Sequence, residues 1–423
     1  MSDPVNVDSI NAPPAAALTS AQAAARLGVL PQTLYAYVSR GLVRRLRTPS
    51  GSRFDPLEIE RLARERSNRA RREPGAQPMG GAPLGVIETE VALVEDSELY
   101  LRGMRASDLA ARCSFESAGG FLLTGRRDRP LRPDPGIDGE AVPPALRRPD
   151  AALPLLARMQ IALIAVGAVD PLRQHVEHLD AVAAADGILG AMLAAVVPGG
   201  RWEPGASTAS ALWPALTEQA PPAGALRCLE TALVLLMDHD LAPSTYAVRV
   251  AASARAALPS AVLAGLATLD SALHGRAAPR AARLLADVVG GADPRAALAA
   301  ATVAEGGGIP GFGHPLYAGP DPRATALLGA LAAVEDARTV LGAVATLRTI
   351  VLERTGRHPN VDLALAALTA VAGMRPDAPT AIFAVGRSVG WVAHAIAEYA
   401  EPPLRLRPVG RYVERAAEGS AGR

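Results

Sequence analysis

Apolar residues, mainly alanine and leucine, recur at helical spacing over most of the chain after residue 148. Positions three and four apart share one face of a helix, so this spacing predicts a succession of α-helices. Several of these segments are apolar on more than one face, which is typical of helices buried inside a large all-α body. The predicted helices span residues 149–169, 172–197, 224–239, 244–257, 259–273, 278–290, 294–305, 321–333, 336–355, 360–373 and 379–400.

The N-terminal part of the chain follows a different pattern of short helices, a turn and a hairpin. Thr19 or Ser20 can cap a short helix that ends at Gly28, and Pro31 can open a second helix that stops at Gly41. The stretch "RRLRTPSGSRF" then predicts a small hairpin or wing, and "DPLEIERLARERSNRARR" predicts a third helix. Two short helices around a tight turn form the helix-turn-helix pattern. The order of these elements resembles the winged helices of the mercury-resistance-regulator (MerR) type.

Shifts in composition divide this part of the chain further. Residues 1–17 are polar and contain proline, which predicts a disordered tail, and residues 18–72 are the predicted helix-turn-helix domain. Residues 73–86, "EPGAQPMGGAPLGV", are rich in proline and glycine and predict a linker. We therefore expect the domain before the linker to work separately from the body after it.

The charge is distributed unevenly along the chain. A net charge of +1 gives the whole molecule no general attraction to nucleic acid or membrane, so local clusters decide any electrostatic function. Between Arg40 and Arg72, eleven arginines stand against four acidic residues. This segment predicts contact with the phosphate backbone of DNA through residues 19–72, and a solvated helix face with a basic linker is the alternative. The predicted DNA-binding residues are Gln32, Thr33, Tyr35, Arg40, Arg44, Arg45 and Arg53.

The composition also excludes several kinds of site. The chain contains no lysine, which excludes a Schiff-base lysine and a lysine-bearing phosphate loop. Its two cysteines, Cys113 and Cys228, lie far apart and predict neither a disulfide framework nor a zinc site, so we expect no metal and a cytoplasmic location. The apolar stretch near residues 159–169 is shorter than the roughly 18 residues that a membrane span needs. We therefore expect no membrane association.

Four polar stretches interrupt the apolar helices. They are "MDHDLAPSTY" with His239, "LDSALHGRAAPRA" with His274, "PGFGHPLYAGPDPRA" with His314, and "RHPNVDLALAAL" with Asp362 at a helix start. A carboxylate that enters an apolar helix is costly to desolvate unless it is capped, paired or kept for proton transfer. Taken singly, Asp362 can be an acid favoured by the helix dipole, the histidines can be satisfied core residues, and "PGFGH" can be a turn.

Taken together, these stretches indicate a reaction site. With Arg323, Arg387 and Arg407 they supply acid and base groups and several clamps for a dicarboxylate. The motifs "DHDLAPST", "LHGR", "PGFGH" followed by "DPR", "HPNVD", "GRSVGWVAH" and "LRP" occur in the order found in citrate synthases. The chain resembles that family over roughly residues 87–415, including the stretch "SFESAGGFLLTG".

The resemblance implies a role for each matching residue. Asp362 would remove a proton from an acyl-CoA thioester, His274 would hydrogen-bond the resulting enol or enolate oxygen, and His314 would polarise the ketone of oxaloacetate. The residues that would bind oxaloacetate are His239, Arg323, Arg387 and Arg407. The product would be citrate from acetyl-CoA or 2-methylcitrate from propionyl-CoA. No cofactor is implied, because acetyl-CoA is a substrate.

The resemblance also implies an architecture, an all-α, citrate synthase-like two-domain helical body preceded by the small winged-helix domain. The large domain would comprise residues 87–239 and 351–423, and the small domain, residues 240–350, would close over it. A homodimer would supply Arg407 across the subunit interface.

Two functions stay open at this point. Retention of Asp362, His274 and His314 favours an acyltransferase that makes citrate or 2-methylcitrate. The alternative is a one-component regulator, whose winged helix binds DNA while the citrate synthase-like body senses a CoA ester or oxaloacetate. The basic N-terminal segment favours this alternative, as does Arg276, which stands where the family usually has glycine.

Overall fold

The computed structural model describes residues 16–49, 51–72, 86–134, 141–147, 153–170, 175–304 and 308–409. The predicted tail at residues 1–17 and the predicted linker at residues 73–86 lie almost entirely outside these ranges. The described residues form two three-stranded sheets and a large helical body.

The N-terminal part contains the short helices and the hairpin that the turn signals predict. Thr19 and Gln22 form a capping box, in which each side chain accepts a hydrogen bond from the backbone N–H of the other residue. Gly28 ends the first helix in the left-handed conformation at φ +60°, and Pro31 opens the second. The elements are β1 (Leu18–Thr19), α1 (Ser20–Leu27), α2 (Pro31–Ser39), β2 (Leu46–Thr48), β3 (Gly51–Phe54) and α3 (Pro56–Arg72).

These elements, which we call the N-terminal unit (residues 18–72), share a small core. The antiparallel sheet has the order β1-β3-β2, with Leu18 opposite Phe54. Leu34 of α2 and Ile59 of α3 are buried with both of these residues. The sheet and the three helices therefore pack together as one unit.

A second antiparallel sheet opens the body and departs from the prediction of an all-α fold. Its strands are β4 (Ala92–Glu95), β5 (Glu98–Leu101) and β6 (Met104–Arg105). The turn between β4 and β5 holds Asp96 at φ +49° and Ser97 at φ +64°, a conformation that usually takes asparagine or glycine. The strands have four residues or fewer, which is too short for a clear alternation of apolar and polar positions. The body is thus mostly helical rather than all-α.

Helices make up most of the rest of the body, and every predicted helix after residue 148 is present within a few residues of its predicted ends, apart from two that start later. The helix predicted from residue 149 begins at Leu155, and the one predicted from residue 172 begins at Ala181, where Asp180 caps it. The helices are α4 (Ala106–Arg112), α5 (Phe115–Thr124), α6 (Leu155–Val169), α7 (Ala181–Val196), α8 (Thr208–Leu216), α9 (Ala225–Leu236), α10 (Pro243–Ser253), α11 (Leu258–Leu269), α12 (Ala277–Val289), α13 (Pro294–Ala304), α14 (Pro322–Leu331), α15 (Arg338–Thr355), α16 (Val361–Val371) and α17 (Ala378–Tyr399).

The central element of the body is α17, around which α5, α7, α9, α10 and α11 pack. Trp391 is fully buried, and a Cβ atom on Gly386 would lie 2.9 Å from the carbonyl oxygen of Leu233, so α9 and α17 approach closely at that glycine. Among the described residues, α17 is the one helix long and apolar enough to cross a membrane, and 78% of its most apolar window is buried inside the body. Core packing accounts for its apolar sequence.

The N-terminal unit lies directly against the body, although a linker was predicted between them. Helix α3 packs against α13 and α15, and Leu57 of α3 is buried in the core of the body. Arg354 forms an ion pair with Asp55 at 2.6 Å, and Arg64 donates to the carbonyl oxygen of Thr355 at 3.0 Å. Apolar burial and ion pairs thus join the two parts.

Two helical glycines allow a stability test with opposite signs. Alanine favours a helix over glycine by about 1 kcal/mol, so Gly342→Ala, which meets no atom within 4 Å, should stabilise the fold by about 0.5–1 kcal/mol. In Gly120→Ala the new Cβ would overlap the carbonyl oxygen of Arg129, so a loss of about 1–3 kcal/mol is expected. Urea unfolding of the two variants measures both changes, and an equal shift in one direction would contradict the close packing at Gly120.

Candidate active site

Asp362 lies in the first turn of α16, where Asn360 caps the helix. Asn360 Oδ1 accepts hydrogen bonds from the backbone N–H groups of Asp362 at 3.1 Å and of Leu363 at 3.4 Å. Burial raises the pKa of the Asp362 carboxyl to about 6, and the positive charge of Arg323 partly opposes that shift. Such a carboxylate is a stronger proton acceptor than an exposed one and is still mostly ionised at neutral pH.

The loop that carries His314, which we call the histidine loop (residues 308–321), is fastened to the segment that leads into α16. Asn360 N–H donates to the carbonyl oxygen of Gly311 at 2.9 Å, and Gly313 N–H donates to that of His358 at 2.8 Å. The Asn360 side chain also donates to the carbonyl oxygen of Gly313 at 3.0 Å. Gly311 and Gly313 adopt φ values of +78° and +81°, which glycine reaches without strain. These hydrogen bonds therefore fix the position of the histidine loop relative to Asp362.

His314 and His239 meet edge to face, with ring centroids 4.7 Å apart. Leu316 N–H donates to His314 Nδ1 at 3.1 Å, so the proton of the neutral ring sits on Nε2. His239 Nε2 is hydrogen-bonded to the Tyr317 hydroxyl at 2.8 Å. Burial and then the charge of Arg323 lower the pKa of His314 to about 4 and hold that of His239 well below its usual value. Both rings are neutral at physiological pH.

His274 lies just before α12 and faces α10 and α17. Its Nε2 is 2.9 Å from the buried hydroxyl of Ser244, and its ring meets Phe383 edge to face at 5.5 Å. Burial, followed by the charge of Arg387, lowers the pKa of His274 to about 4. With Nε2 engaged by Ser244, Nδ1 is the ring nitrogen that remains for a ligand.

Arg323 is oriented by the carboxylate of Asp321, two residues before it. Asp321 accepts from Arg323 Nε at 3.0 Å and from Nη2 at 2.8 Å, and both side chains are buried. Asp321 Oδ2 also accepts from the backbone N–H of Val361 at 3.1 Å. This carboxylate thus joins the start of α14 to the start of α16, one residue from Asp362.

Arg387, on α17, is buried with part of its hydrogen-bonding capacity unused. Its Nε donates to the carbonyl oxygen of Leu236 at 2.7 Å, and its guanidinium lies 4.7 Å from the centre of the Phe383 ring. Its Nη1 is buried and has no hydrogen-bond partner among the residues that the structure describes. Burial lowers the pKa of Arg387 to about 10, partly offset by Asp238, so the group remains charged. A buried, charged donor without a partner favours an anionic ligand.

A buried series of polar side chains lies behind His239. His239 N–H donates to Asp238 Oδ1 at 2.5 Å, and Asp238 Oδ2 lies 2.8 Å from His394 Nε2. Arg249 Nε donates to His394 Nδ1 at 3.1 Å, so the ring turns its Nε2 toward Asp238. These partners hold the backbone at His239 in place.

The structure brings together six of the seven residues predicted for catalysis and oxaloacetate binding. The charges of Arg323 and Arg387 and the ring of His314 all affect the pKa of His239. The charge of Arg323 also affects the pKa of Asp362, and that of Arg387 affects the pKa of His274. Arg407 is separate. It is exposed beyond the end of α17, and its backbone N–H donates to the carbonyl oxygen of Leu404 at 3.0 Å. Arg387 is twelve residues before the end of α17, about 18 Å along the helix axis.

Sequence reasoning missed the residues that hold the site in place, namely Ser244, Tyr317, Asp321 and Asp238. Each lies inside one of the polar stretches around His239 or His314, in "APST", "HPLY", "DPR" and "MDH" respectively. The signal was adjacency to a candidate residue. Spacing alone does not tell which neighbour faces inward, because these stretches are turns or helix ends.

The arrangement combines one base, two neutral donors and an anion site. A carboxylate with a raised pKa can take a proton from carbon, while two neutral imidazoles can donate hydrogen bonds to carbonyl oxygens. Two buried guanidiniums can hold carboxylate groups beside them. The chemistry that fits is proton abstraction next to a carbonyl, followed by attack on a second carbonyl compound that carries carboxylates.

The residues predicted to bind DNA lie on α2, on the segment between α2 and β2, and on β3 of the N-terminal unit. Tyr35 hydrogen-bonds Ser20 at 3.0 Å, and the Arg45 guanidinium lies 5.8 Å from the centre of its ring. The side chain of Arg44 is 78% exposed. The other predicted residues on this unit are Gln32 and Arg40, which are exposed, and Thr33 and Arg53, which are partly buried. No described contact joins this group to the histidines.

Comparisons with known proteins agree with this geometry. The family model described as "Citrate synthase, C-terminal domain" matches residues 80–409. The citrate synthase of Haloferax volcanii is 36% identical over 188 residues, which cover 43% of this chain and 49% of that protein. The 2-methylcitrate synthase of Mycobacterium tuberculosis is 27% identical over 361 residues, which cover 79% of this chain and 89% of that protein. The chain therefore spans about half the length of the first relative and most of the second.

A solved structure shares the fold. It is the ternary complex of carboxymethyl coenzyme A and oxaloacetate with citrate synthase from Thermoplasma acidophilum, with a TM-score of 0.64 and 24% identity over 80% of this chain and 96% of that one. At this identity the likeness establishes the fold of the body.

The low pKa of His274 predicts a pH dependence of stability. The pKa of about 4 in the folded protein lies below the value of about 6.5 for an unfolded imidazole, so the unfolded chain binds more protons between these values. Stability from this group is present above about pH 6.5 and is lost as the pH falls toward 4. Urea unfolding near pH 7 and pH 5 should show a smaller pH effect in His274→Asn than in the wild type. Equal pH effects would contradict a neutral, buried ring.

Proposed function

This chain belongs to the citrate synthase family, and we propose that it condenses an acyl-CoA thioester with oxaloacetate, forming citrate from acetyl-CoA or 2-methylcitrate from propionyl-CoA. The observation that carries the proposal is the buried Arg387, whose Nη1 has no partner within the described ranges and lies in the same site as two neutral histidines and Asp362. The curated relatives are named for both products, which supports either acyl group.

Asp362 starts the proposed reaction by removing a proton from the carbon next to the thioester carbonyl. The carbonyl oxygen then carries the charge of an enolate. In this proposed step the Ser244 hydroxyl donates to His274 Nε2, which leaves the proton of that neutral ring on Nδ1 for this oxygen. A neutral His274 ring can stabilise the developing negative charge by hydrogen bonding. It does so without giving a proton to the Asp362 carboxylate, which must stay ionised to act as the base.

The carbon–carbon bond then forms between this carbon and the ketone carbon of oxaloacetate. His314 carries its proton on Nε2, because Nδ1 accepts from Leu316, and it donates this hydrogen bond to the ketone oxygen as negative charge develops there. The hydroxyl that forms gains one proton, which equals the one that Asp362 removed, so both side chains return to their starting charge. Arg323 and Arg387 bind the carboxylates of oxaloacetate, and His239, whose ring contacts that of His314, lies within electrostatic reach of both arginines. Hydrolysis of the thioester by water releases CoA and makes the overall reaction irreversible.

In the proposed enzyme, Arg407 acts in the oxaloacetate site of a second subunit. It is exposed and distant from Arg387 along α17, so it does not complete the anion site of its own chain. We propose a homodimer in which Arg407 of each subunit reaches the oxaloacetate site of the other.

The test of the proposed function is thiol release from acetyl-CoA or propionyl-CoA in the presence of oxaloacetate, with Asp362→Asn as the first variant. Asparagine keeps the shape but removes the base, so kcat should fall at least about 100-fold while oxaloacetate still binds, as calorimetry would show. Unchanged turnover would remove Asp362 from the mechanism.

Arg387→Leu and Arg348→Leu are the complementary variants in this experiment. Leucine at 387 fills the buried volume but deletes the charged donor, so oxaloacetate affinity should fall by about 2 kcal/mol, or roughly 30-fold. Arg348 is exposed on α15, and its replacement should leave affinity and turnover unchanged. If both variants bind oxaloacetate like the wild type, Arg387 is a structural residue.

We propose DNA binding by the N-terminal unit as a second function that accompanies catalysis. The exposure of Arg44 and the placement of Arg45 on Tyr35 support an anionic partner at α2 and the hairpin. The alternative of a regulator without turnover has no support from the comparisons, because the relatives are named as synthases. A winged helix of the MerR type stays part of this proposal.

The full chain should retard duplex DNA in a salt-dependent manner. Each arginine that neutralises a phosphate releases about one counterion, so the double variant Arg44→Gln and Arg45→Gln should reduce the slope of log affinity against log salt by about 2. Arg348→Gln on the body is the control and should not change the slope. Absence of retardation at low salt would reject this second function.

A further inference from the structure

The N-terminal unit lies outside the part of the chain that matches the citrate synthase family, yet two of its side chains reach the histidine loop. Arg64 donates to the carbonyl oxygen of Ala318 at 3.4 Å from an exposed position. The other residue is Glu60 on α3, whose side chain is completely buried. Its carboxylate accepts a hydrogen bond from the backbone N–H of Gly308 at 3.1 Å, where the histidine loop begins. The same carboxylate forms an ion pair with Arg357 Nη2 at 2.8 Å.

Arg357 carries this contact to both halves of the candidate active site. Its side chain packs against Gly313, the residue before His314, such that a Cβ atom there would lie 3.3 Å from Arg357 Cδ and Nη1. Arg357 also begins the segment that pairs with Gly311 and Gly313 and continues into the cap of α16 at Asn360. Glu60 therefore contacts the start of the histidine loop directly, at Gly308. It contacts the middle of the loop, at Gly313, through the side chain of Arg357.

The charges make Glu60 hard to replace. Arg26 of α1 donates to both of its carboxylate oxygens, so one buried carboxylate balances two guanidiniums, one from each part of the molecule. Removing one partner of a buried ion pair leaves an uncompensated charge, which costs more than the pair itself contributes. Without this carboxylate, Arg26 and Arg357 would repel each other, and Arg357 would have to move from its place on Gly313.

We propose that Glu60 is a positioning residue of the active site, through which the N-terminal unit holds Arg357 and the histidine loop in the geometry that aims His314 at the substrate ketone. The inference rests on the proposed function for its catalytic consequence. It also gives the N-terminal unit a role within the site of the body, which the predicted linker alone does not suggest.

The test compares two acid-to-amide variants of the full chain at the same interface. Glu60→Gln removes the charge that holds Arg357, whereas Asp55→Asn removes the partly exposed pair with Arg354 and touches neither Arg357 nor the histidine loop. Because Glu60→Gln should displace His314, we expect kcat in thiol release to fall about tenfold or more in this variant. Oxaloacetate affinity should change less than about twofold, since Arg323 and Arg387 are untouched. Asp55→Asn should keep the kcat of the wild type.

Hydrogen–deuterium exchange provides a readout that does not need activity. In Glu60→Gln, peptides that contain residues 308–316 and 357–362 should exchange faster, while peptides from α17 should not change. Asp55→Asn should exchange like the wild type at all of these sites. If the wild type releases no thiol with either acyl-CoA, the proposed function fails, and exchange alone then decides whether Glu60 holds the loop.

A second variant guards against misfolding of Glu60→Gln. Arg357→Gln removes the same ion pair from the body side and should give the same loss of kcat, and the double variant should lose no more than either single one. Additive losses, equal losses in Asp55→Asn, or wild-type kcat in Glu60→Gln with faster exchange would each overturn the positioning role.

Discussion

The buried carboxylate of Asp321 is the contact on which the candidate active site depends. It accepts hydrogen bonds from the backbone N–H of Arg323 at 3.0 Å, from two nitrogens of the Arg323 side chain, and from the backbone N–H of Val361 at 3.1 Å. Two helices that are distant in sequence therefore begin at one anchored point. Arg323, a proposed oxaloacetate-binding residue, and Asp362, the proposed base, are thus positioned by the same group, so neither can shift without the other.

Desolvation sets the chemistry of this site. Burial keeps His239, His274 and His314 neutral, raises the pKa of Asp362 to about 6 and leaves Nη1 of Arg387 without a partner in the described structure. An unsatisfied buried donor costs about 1–3 kcal/mol, and an anionic ligand that accepts from it recovers this cost. The same dry environment that favours binding of a carboxylate also strengthens the donors that stabilise an enolate.

The N-terminal unit belongs to the same physical system as the body. Leu57 is buried in the core of the body, and Glu60 places a fully buried carboxylate between Arg26 and the Arg357 that packs on Gly313. Apolar burial holds the two parts together, and the ion pair determines their relative position at the histidine loop. The unit that carries the exposed Arg44 thus also contacts the histidine loop.

The sequence by itself determined most helices of the body, the capped start of α1, the hairpin, and six residues that meet at one site, because periodicity, caps and ordered motifs are local properties. It revealed neither α4 and α8 nor the sheet at residues 92–105, whose strands have four residues or fewer, too short for a clear periodicity. Only the tertiary structure decided that Tyr317 contacts His239, that Asp321 ties Arg323 to α16, and that Glu60 reaches Gly308. These contacts join residues up to 248 positions apart, and their energies come from burial and charge compensation, which exist only after the chain has folded.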